Sequence, residues 1–372
     1  MNKQPKYQEI HRELLSEILA GKYDSSKKMP SEMQLVERFH VSRPTVTRAL
    51  NELESQGILE RRAGSGTYLR KDAKVASQIS QVGLIVPGLG KIEIFDVICG
   101  ELASLARVHE LSMHWGGSMR PKTDSSMSIE EAEDLCANYI NKGVRGVFFA
   151  PFEHTADNAV ANRRITERLS DAGIPVVLLD RDICAFPERS MHDLIGIDNF
   201  AGGYLLAAHL IKLGCQSLAF VTRPFSATTV DARKIGALSA MMDHGVAIPR
   251  NFLQQGHCTD LKFVRQVTSS KRLDAIICDN DHTAAQLLQS LARLDIKTPE
   301  EIRVVGFDDV RFATLLQVPL TTIQQPCRDI ALTTFNAMRE RMATPTLPPR
   351  SIWLTPRLVV RESCGAYIKR SV

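Results

Sequence analysis

Residues 29–69, MPSEMQLVERFHVSRPTVTRALNELESQGILERRAGSGTYL, decide the fold of the amino-terminal part of the chain. Ser31 precedes apolar Met33, Leu35, Val36 and Phe39, so a helix capped by Ser31 is predicted. His40-Val41 is too short for anything but a turn. Ser42 then caps a second helix with Pro44 in its first turn, apolar at Val46, Ala49, Leu50 and Leu53 and closed by Gly57. The opposite face of that helix carries Arg43, Thr45, Thr47 and Arg48. Guanidinium groups and short hydroxyls at helical spacing suit guanine edges, thymine methyls and phosphates of a major groove. Ile58–Arg62 and Thr67–Leu69 flank Ala63-Gly64-Ser65-Gly66, a strand–turn–strand wing with Arg61 and Arg62 at its base, and glycines allow close approach to a sugar-phosphate backbone.

Upstream, Tyr7, Ile10, Leu14, Ile18 and Leu19 recur at helical steps over residues 7–20, and Gly21 ends the run. Residues 1–80 carry 14 Lys+Arg and 10 Asp+Glu, while the remaining 292 residues carry 32 of each. The whole excess of +4 therefore sits in this basic head, as a polyanion-binding module on a neutral body requires.

At 372 residues, 44% hydrophobic and 24% charged, the chain is long enough for more than one globular domain and is neither disordered nor fibrous. No apolar run approaches the roughly 18 residues of a membrane span. Met1–Lys6 leads into no signal-like core, so a cytoplasmic protein with no membrane partner is expected. The eight cysteines are scattered without a CxxC pair, which predicts buried thiols rather than disulfides or a zinc ribbon. No HExxH spacing occurs, and neither a metal nor a cofactor is implied.

Residues 71–80 lack periodicity and read as a linker. Beyond them β-rich runs (Val82–Val86, Leu111–Trp115, Gly146–Ala150, Val176–Leu179, Ile195–Ile197, Ser217–Val221, Ala275–Cys278 and Arg303–Gly306) alternate with helical stretches near 95–109, 128–142, 161–173, 201–213, 231–244 and 281–294. Alternating βα units predict parallel sheets covered on both faces, and their number predicts two lobes. Polar residues collect after the strand ends, where such sheets place a ligand crevice: Glu153, Asp180-Arg181, Asp198-Asn199, Asp279-Asn280-Asp281 and Asp308-Asp309, with Arg233 at the start of a helix. Acidic residues after strands also serve as helix N-caps, the role expected for Asp308 and Asp198.

Residues 5–70 resemble the winged helix-turn-helix of GntR-type regulators. The resemblance implies DNA contacts from Ser31, Ser42, Arg43, Thr45 and Gly64-Ser65-Gly66, to which Thr47, Arg48 and Arg62 are added as neighbours on the same surfaces. Residues 80–365 are similar to the effector domain of LacI-type repressors and periplasmic sugar-binding proteins, through "VGLIVPG", "GIPVVLLDRD", "IGIDNFAGGYLLAAHLIKLGCQSLAFV", "DARKIGALSAM", "DAIICDNDHTAAQLL", "EIRVVGFDDVRFATLLQVPLTTIQQP" and "WLTPRLVVRES". The expected class is α/β: an N-terminal winged helix-turn-helix (1–70), the linker, and a two-lobed periplasmic-binding-protein-like domain with parallel sheets (81–372). Lobe 1 is expected over about 81–198 and 323–350, and lobe 2 over 199–322 and 351–368, with strand 352–362 in the second lobe. By motif, Arg181, Arg233 and Asp281 are the implied effector contacts, Glu153 and Gln325 their polar neighbours, and Phe95 a surface for stacking on a sugar ring. The chain departs from relatives at Cys258, where many carry an aromatic.

The combined arrangement resembles that of arabinose-repressor-like regulators. It implies double-stranded operator DNA, a homodimer and a small polar effector, a sugar or sugar derivative. Two other readings are open to the sequence: a body that only dimerises, and an enzyme. The second finds no support, because "GLGK" at 88–91 completes neither a dinucleotide loop nor a P-loop and no GxSxG elbow occurs.

Overall fold

The structure, a computed structural model, describes residues 6–19, 23, 28–55, 57–62, 65–70, 81–90, 92–116, 127–153, 155–185, 187–269 and 273–367. Gly64 and the 71–80 segment lie outside the described residues. The chain divides into two compact units, Met1–Ser80 and Gln81–Val372.

In the first unit, α1 (Lys6–Leu19), α2 (Glu32–Phe39) and α3 (Arg43–Ser55) precede a hairpin of β1 (Leu59–Arg62) and β2 (Gly66–Leu69). Ile10, Leu14 and Ile18 of α1 bury against Leu35 of α2 and Val46, Ala49, Leu50 and Leu53 of α3. Ser31 and Gln34 form a reciprocal capping box at the start of α2. His40, at φ 50°, turns the chain left-handed between α2 and α3. The hairpin is antiparallel, with Arg62 opposite Gly66. Gly66 sits at φ 125°, a backbone region closed to other residues, which explains the glycine at this corner. Lys28 bridges Tyr68, and Met29 N–H donates to the Thr67 carbonyl, so the wing gains a short third strand.

The second unit holds two lobes. Lobe 1 is a six-stranded sheet of β3 (Gln81–Ile85), β4 (Ser112–Trp115), β5 (Gly146–Phe149), β6 (Val176–Leu179), β7 (Asp193–Ile197) and β13 (Ser351–Leu354), in the order β13-β7-β6-β5-β3-β4. Every neighbouring pair is parallel. Successive residues alternate between faces. Leu84, Phe148 and Val177 pack with helices α4 (Glu93–Val108) and α11 (Cys327–Ala343), whereas Ile85, Phe149 and Leu178 pack with α5 (Ile129–Lys142) and α6 (Ala156–Asp171). Strands buried on both faces need continuous apolar runs, which is how they read in the sequence.

Lobe 2 repeats the plan with β8 (Leu218–Thr222), β9 (Leu253–Gln255), β10 (Ala275–Cys278) and β11 (Arg303–Val305), ordered β11-β10-β8-β9 and all parallel. Helices α7 (Asn199–Lys212) and α8 (Thr228–Asp243) cover one face, while α9 (Leu261–Thr268) and α10 (Asp281–Arg293) cover the other. Backbones of α7 and α8 touch: a methyl group on Gly203 would lie 1.8 Å from the Arg233 carbonyl oxygen, and one on Gly236 2.0 Å from that of Phe200. This approach brings Arg233 of α8 onto Asn199 of α7.

The chain passes between lobes after Ile197, along β12 (Thr322–Gln324) and after Leu354, where β14 (Arg357–Val359) pairs antiparallel with β12. The expectation of one strand over 352–362 in lobe 2 is corrected here. Ser351–Leu354 lies parallel to β7 in the lobe 1 sheet. Buried Pro356 has no N–H to continue that ladder, and the chain turns there into the crossing ribbon. All eight cysteines are free thiols; burial pushes the Cys99 and Cys258 thiols up to about 12, so they stay protonated at neutral pH.

Candidate functional site

The first unit presents a helix face and a wing. Because Val46, Ala49, Leu50 and Leu53 are buried, α3 turns Arg43 outward, its side chain 70% exposed and held by Glu32 through Nε at 3.0 Å. The hydroxyls of Ser42 and Thr45 lie 2.8 Å apart beside it. Ser31 is exposed at the start of α2, with its side chain and N–H committed to the capping box. Thr47 donates its hydroxyl back to the Arg43 carbonyl at 3.0 Å. Arg48 goes elsewhere: its guanidinium stacks 4.0 Å from the Tyr7 ring centroid, binding α3 to α1. On the wing, Arg62 lies over Tyr68 and pairs with Glu60, and exposed Ser65 shares a hydrogen bond with the Tyr68 hydroxyl at 2.8 Å.

Between the lobes, residues following the strand ends face one another. Arg181, after β6, is 5% exposed; its Nε donates to Asp180 at 3.1 Å, and its Nη1 stands 3.9 Å from Glu153 Oε1. From lobe 2, Arg223, after β8, reaches the same Glu153 oxygen with Nη2 at 3.7 Å. Its backbone N–H donates to Asp279 Oδ2, which also accepts from the Thr222 hydroxyl. A second contact between lobes runs from the Arg311 N–H to Glu93 Oε1, 2.8 Å.

The Arg233 guanidinium carbon lies over the Phe307 ring, 3.6 Å from its centroid. Nε donates to Asn199 and Nη1 to the Asp279 carbonyl, leaving Nη2 3.9 Å from Asp308 Oδ1. Gln325 on the crossing segment donates to that Asp308 oxygen at 2.7 Å. Burial raises the Asp308 carboxyl to about 6; Asp180 and Asp279 add to the rise, and Arg233 and Gln325 offset part of it. Asp180 and Asp308 hold φ of 69° and 118°, and a non-glycine residue in that region costs roughly 1–3 kcal/mol, a strain that gathers at functional sites.

Two readings from sequence are exchanged by this geometry. Asp308 caps no helix: only the short 3-10 turn Arg311–Thr314 follows, and its side chain meets Gln325 and Arg233 instead. Asp281 is fully buried as the first residue of α10, with Oδ1 taken by the Thr322 hydroxyl at 2.6 Å and Oδ2 by the Val310 N–H at 3.0 Å. Both oxygens tie the segment carrying Asp308 to the crossing strand, so Asp281 positions the site from behind. Asp198 does cap α7, accepting from the Ala201 N–H. Phe95 is likewise a core residue, 1% exposed, with its ring 6.0 Å beneath the Arg181 guanidinium rather than bare to the cleft. Arg223 is not among the sequence-based candidates; its signal is a lone cation directly after an apolar strand, in Phe220-Val221-Thr222-Arg223. For Asp308 the signal was the lack of helical periodicity after it. Among the described residues, no group of three or more His, Cys, Asp or Glu is placed to hold a metal.

Residues 6–69 match the family of bacterial regulatory proteins called gntR, and residues 207–364 match a periplasmic binding protein-like domain. The chain is a transcriptional regulator that joins a gntR-type head to a periplasmic-binding-protein-like body. The regulator is similar to the arabinose metabolism transcriptional repressor of Geobacillus stearothermophilus, 27% identical over 96% of this chain and 97% of that one. It is also similar to the ribose operon repressor of Escherichia coli strain K12, 31% identical over 51% of this chain and 58% of the other. A solved LacI-family regulator from Enterococcus faecium with bound ribose has the same fold over 76% of this chain and 98% of its own, at 22% identity and a TM-score of 0.61.

Proposed function

We propose that the regulator is an effector-responsive repressor: the head binds operator DNA, two bodies pair into a homodimer, and a small neutral polyhydroxylated metabolite, a sugar, occupies the cleft. The head's candidate contacts are Ser31, Ser42, Arg43, Thr45, Thr47, Ser65 and Gly66, with Arg62 at the wing base. The effector's are Arg181, Arg233, Asp308, Gln325 and Glu153. The observation that carries the effector reading is the charge balance of the cleft. Three guanidiniums (Arg181, Arg223 and Arg233) alternate with four carboxylates (Glu153, Asp180, Asp279 and Asp308), one of which has its carboxyl raised to about 6. Such a lining offers donors and acceptors in turn with little net charge, the requirement of hydroxyl groups that both donate and accept. The relatives named for arabinose and ribose metabolism support the same chemistry.

A dimer places two heads on half-sites roughly 34–36 Å apart or a multiple of it. Effector that closes the lobes alters that spacing, and a coupling of about 1–3 kcal/mol changes operator affinity about 5–150-fold. We assign the protein no turnover and a cytoplasmic location; among the described residues no helix is long and apolar enough to cross a membrane. The test is thermal melting with a panel of aldoses, followed by operator titration with and without any that stabilises, since a ligand of the folded state must raise the melting temperature. A sugar that raises it and shifts operator affinity supports the reading. If no promoter-region duplex binds at low salt, the reading fails.

A further inference from the structure

Lys28 precedes the helix-turn-helix stretch and belongs to none of its motifs, yet the structure builds it into the wing. Its backbone bridges Tyr68 of β2 antiparallel, and the next residue, Met29, donates its N–H to the Thr67 carbonyl at 2.9 Å and is buried in the head's core. Pro30 and the Ser31 cap of α2 follow at once, so the backbone at Lys28 is pinned by β2 on one side and by α2 on the other. The glycine corner directs the side chain. A methyl group on Gly66 would lie 2.1 Å from Lys28 Cε, 2.9 Å from Nζ and 3.2 Å from Cδ, and these are its three nearest atoms. The lysine stem thus fills the space that a side chain at position 66 would take. Long cations lay their methylenes along a surface in this way while the charged head stays in water. Lys28 is exposed and, among the described residues, enters no ion pair, whereas Arg62, opposite Gly66 in the hairpin, is held by Glu60. The motif offers Gly66 as a place where the wing's backbone can approach DNA. On the side where a Cβ would stand, that backbone is covered, and a phosphate arriving there meets an ammonium group.

We propose that Lys28 is a phosphate contact of the wing tip and that Gly66 is its positioning residue, kept as glycine to seat the lysine stem as well as for its backbone angle. An ammonium is a point charge that suits phosphate and carries no base preference. The contact therefore adds affinity for duplex DNA of any sequence. It adds it in a salt-dependent way, because each neutralised phosphate releases condensed counterions. The inference rests on the reading of the head as a DNA-binding module.

The test uses the full-length protein on two duplexes, one from its own promoter region and one of random sequence, titrated over salt from about 50 to about 200 mM. Lys28→Met keeps the stem and removes the charge. It is expected to lower the slope of log affinity against log salt by about 0.9 for each head engaged, equally on both duplexes. Its deficit then shrinks about 3.5-fold per head across that salt range. Lys28→Arg is expected to keep the wild-type slope. Gly66→Ala, which displaces the stem, is expected to lower the slope as Lys28→Met does, and the double variant to lose no more than either single one. Melting shows whether each variant is folded. If wild type binds DNA and Lys28→Met matches its slope, or loses affinity on the promoter duplex alone, the phosphate contact is wrong while the DNA reading stands. If the losses from Gly66→Ala and Lys28→Met multiply, or Gly66→Ala unfolds the head in either background, the glycine serves the backbone and not the lysine, and the two Lys28 variants decide the contact by themselves. If wild type binds neither duplex at low salt, the DNA reading falls and the contact falls with it.

Discussion

Asp193 and Asp308 are acidic residues set deep in the same two-lobed body, and their surroundings treat them in opposite ways. Asp193 opens β7, at the end of the lobe 1 sheet away from the cleft. Its Oδ1 accepts from Arg341 Nη2 and the Arg350 N–H, both at 2.8 Å, and its Oδ2 accepts from Arg341 Nε at 3.1 Å and Arg350 Nη2 at 3.2 Å. The remaining N–H groups of Arg341 reach the carbonyls of Pro345, Leu347 and Pro348. Burial pushes the Asp193 carboxyl up, but the two arginines outweigh it and hold the group below the usual carboxylate range. Asp308 keeps one close bond, from Gln325, and is raised to about 6. Saturation marks a joint that holds the fold; incomplete saturation on both sides of a crevice marks a place made for a ligand.

Asp193→Ala tests the first half of that contrast most severely. It leaves two guanidiniums facing a buried gap, and breaking a buried pair costs about 3–5 kcal/mol. Urea unfolding is expected to show a loss of that size, with sugar affinity at low denaturant unchanged, since the residue is remote from the cleft. The pH dependence has a definite sign. A depressed carboxyl lends stability above its unfolded value, and that stability disappears as pH falls through its folded value, so wild type and variant converge in acid. Lost sugar affinity without lost stability would break the comparison.

Asp308→Asn tests the other half. Hydrogen bonds to a charged group contribute about 1.5–3 kcal/mol, so sugar affinity is expected to fall by a factor of about 10–150 by calorimetry. Stability moves the other way. Because burial raises its carboxyl, ionised Asp308 disfavours the folded state at pH above about 6, and that cost vanishes as pH drops toward the ordinary carboxylate value. The variant therefore melts no lower than wild type at neutral pH. Wild-type sugar affinity is expected to decline as pH falls through about 6, and the variant's profile to be flat over that interval. A variant that melts well below wild type would make Asp308 structural, like Asp193.

These two residues also show what a sequence conveys and what it withholds. Buried strands such as Val176–Leu179 and amphipathic helices such as α4 are legible because a run or a period states which face is apolar. Arg233 was legible through the DARKIG motif, since charge alone does not separate it from adjacent Lys234. Asp281 and Asp308 both follow strands, and although a helical pattern follows only Asp281, no spacing states that its carboxylate is consumed by Thr322 and Val310 while that of Asp308 is left facing Arg233. That choice is made by backbone angles, 118° at Asp308, and by a partner 41 positions away from Asp281. The strand break at Pro356 was written in the sequence but masked by apolar alternation on either side of it.

The same contrast divides the arginines of the head. Arg43 is exposed and paired with Glu32, whereas Arg48 is spent on Tyr7. Arg43→Ala is expected to weaken operator binding by about 1–2 kcal/mol, within the range for a single side chain at DNA, with the sugar response intact. Arg48→Ala is the smallest effect and the sharper test. A cation–π contact contributes about 0.5–1 kcal/mol at an exposed site, so the variant head should lose that much stability in urea while operator affinity changes less than for Arg43→Ala. Arg48→Lys, which keeps the charge but not the planar stacking, should resemble Arg48→Ala in stability. If instead Arg48→Ala costs more operator affinity than Arg43→Ala, and Arg48→Lys restores it, then Arg48 leaves Tyr7 for phosphate on DNA, and a partner in the free protein is no guide to a side chain's work in the complex.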